Sequence, residues 1–286
     1  MKIFAVLVLA LAWGAAWSEE GSPPKQYPAW DGKESVEEYA KRVGLKTTQT
    51  LDLGGDVKLE LVLVPPGTFQ MGSPDTEVKR KEEEGGEKLH KVTLTAPFYL
   101  AKYELTQAQY EKVIGTNPSS TKDDKLPVTD VNWADAVAFC KKASEQLKCD
   151  MHLPTEAQWE FAARAGTQTA FYTGNEEEDM NKAGWHGKNS GRKVHPVGEK
   201  APNAFGLYDM LGNVRELCAD AFAPYDGKDE TDPTGPKDGE THVSRGGAAF
   251  AATHLICRCA MRSNEPANRR NGIVGLRPAL GIPAAK

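Results

Sequence analysis

The sequence predicts a single α+β domain with little regular secondary structure. Three observations carry this. Short apolar, alternating segments cluster between residues 58 and 100. Three capped helical segments follow between residues 106 and 165. From residue 167 onward the chain offers only short strand-like stretches broken by Gly, Asn, Pro and Asp. No internal repeat is visible, so one domain is favoured over two.

The elements follow in chain order. Residues 1–18 have the order of a secretory signal: Lys2, the apolar run Ile3–Trp13, then small residues with Ala16 and Ser18 placed for cleavage before Glu19. The run is too short for a bilayer span, which needs about 20 residues. The chain is therefore expected to be exported, to a periplasm or the extracellular space, with an uncleaved anchor as the competing reading. No cysteine follows the run, which argues against a lipoprotein anchor, and no later apolar run is long enough for a membrane span.

Residues 19–57 read as a polar leader with one short helix, Ser35–Val43, where Ser35 and Glu38 form a capping-box pattern. Lys58–Val64 alternates and stops at Pro65-Pro66-Gly67, a strand closed by a turn. Thr68–Gly72, His90–Leu94 and Phe98–Leu100 are further strands, and the charge-dense stretch Pro74–Lys88 reads as a solvated loop. Helices are predicted over Thr106–Ile114, Trp133–Leu147 and Glu156–Ala165, the last capped by Thr155 and ending before Gly166. Long loops such as those beyond are usually functional or pinned by bonds or metal.

Hydrophobic content of 40% supports a folded core. The formal net charge of −5 offers no electrostatic case for nucleic acid. Five cysteines, at 140, 149, 218, 257 and 259, leave at least one thiol over, and export would permit disulfides. The six histidines show no H-x-x-x-H or H-E-x-x-H spacing, and no G-x-S-x-G, P-loop or dinucleotide fingerprint occurs.

Seven loop motifs are more specific than any of this: VPPGTFQMGS (64–73), FYLAKYELTQAQY (98–110), PVTDVNWADAVAFC (127–140), LPTEAQWEFAARAG (153–166), PNAFGLYDMLGNVRE (202–216), SRGG (244–247) and NGIVGLR (271–277). In this order and spacing the chain resembles the formylglycine-generating enzyme family, or sulfatase-modifying factor domains, over residues 58–282. The resemblance implies the compact α+β fold of that family, distantly like a C-type lectin. It makes Trp159 and Tyr208 core aromatics and Asn203–Tyr208 a tightly turned loop.

Family members that make formylglycine oxidise a cysteine of a client sulfatase. They use two cysteines, five positions apart, that hold copper(I), an ion suited to soft thiolates. Counting forward from Gly246-Gly247, those positions are Ala251 and Ile256. Counting back from Arg262-Ser263, the second falls on His254. No catalytic residue is carried over, and copper is not expected. Cys257 and Cys259 would face one side of a strand and could stand in for the pair. Against that, the resemblance implies a Cys218–Cys257 disulfide, with Cys259 the odd thiol and a Cys140–Cys149 pairing left open. The turn Gly212–Glu216 matches a calcium loop of the family, with carbonyls of Gly212 and Val214 and the Glu216 carboxylate as ligands. The alternative is that Glu216 pairs with an arginine such as Arg245.

The expected function is an exported, non-oxidase member of this family that binds a peptide, glycan or partner protein. The alternatives are an oxidase that still converts a client cysteine to formylglycine, and a cell-envelope interaction protein using the charged loop 77–88.

Overall fold

A computed structural model describes residues 27–78, 80, 86–236 and 238–282. The signal segment read over residues 1–18 lies outside them, as does most of the charge run Lys79–Glu84.

The first third of the chain supplies strands to two sheets, with Pro65-Pro66 at the switch from one to the other. Helix α1 (Val36–Val43) leads into β1 (Thr48–Gly54), β2 (Val57–Val64), β3 (Gly67–Met71), β4 (His90–Leu94) and β5 (Phe98–Ala101). Ser35 caps α1 with a formed capping box to Glu38. Strand β1 was not foreseen. It is an edge strand whose residues alternate between exposed and half-buried, so its apolar signal is only Leu51 and Leu53. It pairs antiparallel with β2, and Tyr39 of α1 is fully buried beneath the sheet. The leader is thus part of the domain from α1 onward, and a boundary at residue 58 cuts through a strand pair.

Helices α2 (Gln107–Ile114), α3 (Trp133–Leu147) and α4 (Glu156–Arg164) are each opened by a capping box, from Thr106, Asn132 and Thr155. Between the last two lies β6 (Met151–His152). The loop-rich remainder holds α5 (Glu177–Ala183), β7 (Arg215–Ala221), β8 (Glu230–Thr231), β9 (Thr241–Arg245), a 3-10 turn at His254–Cys257, β10 (Ser263–Pro266), β11 (Val274–Gly275) and β12 (Ala279–Gly281).

Three sheets result. Their strand orders are β1-β2-β5-β12-β6, β10-β9-β7-β11 and β3-β4-β8. The last strand therefore returns to the middle of the first sheet. One apolar cluster fills the space between that sheet and α1–α3, and a second surrounds Trp159 of α4. Trp159 is fully buried, as expected of a core aromatic. Tyr208 is only half-buried and rests against Tyr103 at 5.1 Å. The turn before it is tight: the Asn203 side chain accepts from the N–H of both Phe205 and Leu207, and Gly206 has φ +83°.

The charge-dense loop is not solvated throughout. Glu87 is 1% exposed and takes Arg258 through two bonds, 2.7 and 2.9 Å long, while the Ser73 hydroxyl donates to it at 2.9 Å. Arg258 also holds Glu77.

Candidate functional site

The segment after β9 is where the family's two cysteines would stand. Gly246 and Gly247 reverse the chain at φ +89° and +76°. A Cβ on Gly247 would lie 2.5 Å from the Cys257 sulfur, so glycine is required by close approach as well as by backbone conformation. Ala248 and Ala249 are buried, Phe250 is 36% exposed, and Ala251 accepts the Gly187 N–H at 3.1 Å. Ala251, His254 and Ile256 are half-buried. The His254 ring lies 6.0 Å from that of His186, and its Nδ1 lies 3.4 Å from Glu177. Burial lowers the pKa of His186, which favours the neutral ring. No group of three His, Cys, Asp or Glu side chains among the described residues is arranged to hold a metal ion.

All five cysteines are free thiols. The Cys218–Cys257 bridge that the resemblance implies is not formed. Cys257 packs over Gly247 and meets the Ala248 N–H, whereas the groups around Cys218 are Asp220, Glu156 and Arg245. Cys140 and Cys149 are not bridged either, because α3 continues to Leu147. Cys257 ends a 3-10 turn and Cys259 sits in the next bend, so the expected strand that would align them is absent. Burial pushes Cys257 up to about 12 and Cys259 up to about 11, which keeps both as neutral thiols. The positions that the family fills with its two cysteines carry none here.

The calcium reading fares differently. Glu216 is fully buried and accepts from Arg277 through Nη2 at 2.7 Å and Nε at 2.9 Å, and from the Trp159 indole at 2.6 Å. Its arginine is thus Arg277. Arg245, the partner considered from sequence, instead binds Glu156 at 2.8 Å and Glu160. Two further carboxylates adjoin the same guanidinium. Glu104 accepts from the Val214 N–H at 2.9 Å and from Asn213 at 2.6 Å. Asp209 accepts from the Gly198 N–H at 2.6 Å through Oδ2, while its buried Oδ1 has no hydrogen-bond partner. Burial is the main force raising both pKa values, Asp209 to about 6 and Glu104 well above its usual range.

Arg277 pairs with Glu216, and burial raises Glu104 and Asp209 toward their neutral forms, so the three carboxyls need not carry three charges beside it. The open oxygen is Asp209 Oδ1, not Glu216. A Cβ on Gly246 would lie 3.1 Å from the Met210 carbonyl oxygen and 3.4 Å from the Trp159 ring, so a larger residue would crowd this turn. Asp209, Glu104 and Arg277 lie inside the quoted motifs, but nothing in their local sequence marks them as neighbours.

The profile of the sulfatase-modifying factor enzyme 1-like domain matches residues 55–282. The formylglycine-generating enzyme of Bos taurus is 26% identical over 288 residues, covering 77% of this chain and 74% of its own. Chaperone protein LppX of Paenibacillus barcinonensis is 29% identical over 209 residues, covering 56% of this chain and 70% of its own. Among solved structures, Treponema denticola variable protein 1 superposes with a TM-score of 0.72 at 29% identity, covering 82% of this chain and 99% of that one. The mixed fold of few helices and short curled sheets matches this neighbour. The chain belongs to the sulfatase-modifying factor enzyme 1-like domain family.

Proposed function

We propose that this is an exported family member that recognises a protein, peptide or glycan client on the face formed by residues 248–257, without thiolate–copper oxidation. One observation carries the reading: the two positions that need thiolates hold Ala251 and either Ile256 or His254, and the nearby cysteines are buried, neutral thiols. Ionising a thiol that titrates near 12 at pH 7 costs on the order of 7 kcal/mol. The exposed Phe250, set between buried Ala249 and half-buried Ala251, gives the face an apolar contact point. The signal-like order of residues 1–18 supports export.

A second reading, formylglycine generation, is favoured by the similarity to the Bos taurus enzyme. One experiment separates them. The mature chain is incubated with copper(I), oxygen and a C-x-P-x-R sulfatase peptide, and the peptide mass is followed. The expected result is no conversion of cysteine to aldehyde. Turnover that disappears in Cys257→Ser or Cys259→Ser establishes the second reading instead. A photo-crosslinking residue at position 250 tests recognition directly: discrete adducts in the exported fraction are expected, and none sinks the proposal.

A further inference from the structure

A cavity of about 500 Å³ opens beside the first turn of α4, and none of its lining residues belongs to the 248–257 segment. Its volume is in the range that encloses small ligands. Pro233, Pro236 and Tyr225 give it stiff, largely apolar walls. Glu156, Asp220 and Arg262 form its charged floor, and Asp226, Glu230 and Asp232 stand at the more exposed side.

The charges do not balance. Arg262 is the one lysine or arginine among the lining residues. Glu156 takes it through two bonds, 2.6 and 2.7 Å long, and the guanidinium lies 3.6 Å from the Tyr225 ring centre. Asp226 is held by Lys228 at 2.6 Å, and Glu230 lies 3.6 Å from His90. Asp232 accepts only from the neutral N–H and hydroxyl of Thr95. Asp220, 4% exposed, accepts the Glu156 N–H at 2.8 Å and lies in the field of Arg262. Among the described residues, one carboxyl at the floor and one at the rim thus line the cavity with no ion-pair partner of their own.

We propose that this cavity binds a ligand with a single cationic head, an ammonium or guanidinium, on an apolar stem. The stem packs on the prolines and Tyr225, and the head meets Asp220. A lysine or arginine side chain and a free alkylamine share this chemistry. The inference is independent of the function proposed for residues 248–257.

The floor also sets a pH signature. Burial and the neighbouring Glu156 push the Asp220 carboxyl up to about 7. The other groups around it keep their charge state near neutrality. Glu156 stays ionised between Arg262 and Arg245, burial keeps the Cys218 thiol neutral, and burial favours neutral His242 on the paired strand β9. A cation must therefore displace the Asp220 proton, and affinity should rise as pH rises through 7.

Calorimetry on the mature chain tests this with Nα-acetyl-lysine methylamide, pentylamine and the uncharged Nα,Nε-diacetyl-lysine methylamide. The charged probes should bind, and the uncharged one at least tenfold more weakly. Between pH 6 and pH 8 affinity should rise about tenfold, following the ionised fraction of a group that titrates near 7. Asp220→Asn keeps an acceptor for the Glu156 N–H. It should lose tenfold or more in affinity at pH 8, together with the pH dependence. Asp232→Asn should lose about threefold, and it serves as the test if the first variant does not fold. Tighter binding of the lysine amide points to a peptide side chain, and tighter binding of pentylamine to a free amine. Failure of both charged probes to bind, equal binding of the uncharged one, or a pH dependence that survives in Asp220→Asn overturns the proposal.

Discussion

Glu216→Gln asks whether this carboxylate serves Arg277 or a metal ion. In the wild type it accepts two nitrogens of Arg277 and the Trp159 indole, all buried. Glutamine keeps one acceptor oxygen and turns an amide NH2 toward a donor. Breaking one side of a buried ion pair costs about 3–5 kcal/mol. Arg277 retains the carbonyls of Ala101 and Tyr208, at 2.8 and 2.7 Å, and the fields of Glu104 and Asp209. These place the loss at the lower end, about 3 kcal/mol. For a domain of this size that lowers Tm by about 6–12 °C. Thermal and urea unfolding would be run in chelator and again with millimolar calcium. The full loss should appear in chelator. A loss below about 1 kcal/mol there, or one seen only with calcium, refutes the reasoning and returns Glu216 to the ligand role read from sequence.

Other expectations are briefer. Tyr39→Ala should cost about 3–4 kcal/mol in urea unfolding, whereas Tyr39→Phe should be neutral or stabilising because the buried Tyr39 hydroxyl has no hydrogen-bond partner; an unaffected alanine variant would place α1 outside the domain. With a thiol reagent at pH 8 the native chain should modify Cys149 first, because it is half-buried while the other four are buried; five thiols should titrate after unfolding without reductant, and three would reveal a disulfide. Stability should fall as pH rises from 6.5 to 8. In that window Asp220, raised to about 7, releases its proton in the folded state while the unfolded chain is already ionised, and Glu104 acts in the same direction. Asp220→Asn should flatten the Tm-against-pH slope, and a slope of opposite sign contradicts the assignment.

Much of the first half was legible because its signals are local. Ser35, Thr106 and Thr155 each announce a helix within three residues, and β2 alternates and then meets two prolines. Strand β7 has no such pattern. Its sequence, RELCADA, is buried almost throughout and carries Glu216 and Asp220, whose polarity is offset by partners 61 residues later in one case and 64 earlier in the other. Strands β6, β11 and β12 are two or three residues long and exist only through their pairing. At the site, motif spacing puts the two expected cysteine positions on Ala251 and on Ile256 or His254, none of them cysteine. It could not show that Arg245 is committed to Glu156 and Glu160, which leaves Arg277 for Glu216, because that choice depends on three-dimensional proximity.

The buried ion pairs also carry an order in time. Arg245, Arg258, Arg262 and Arg277 are synthesised after the carboxylates of Glu87, Glu156, Glu160 and Glu216 that they neutralise. A nascent chain that stops short of residue 245 would have to bury Glu87, Glu156 and Glu216 without their arginines, at several kcal/mol each, whereas Glu160 would keep Arg164. Closure must therefore wait until the final stretch has left the ribosome. Until then the polypeptide stays open.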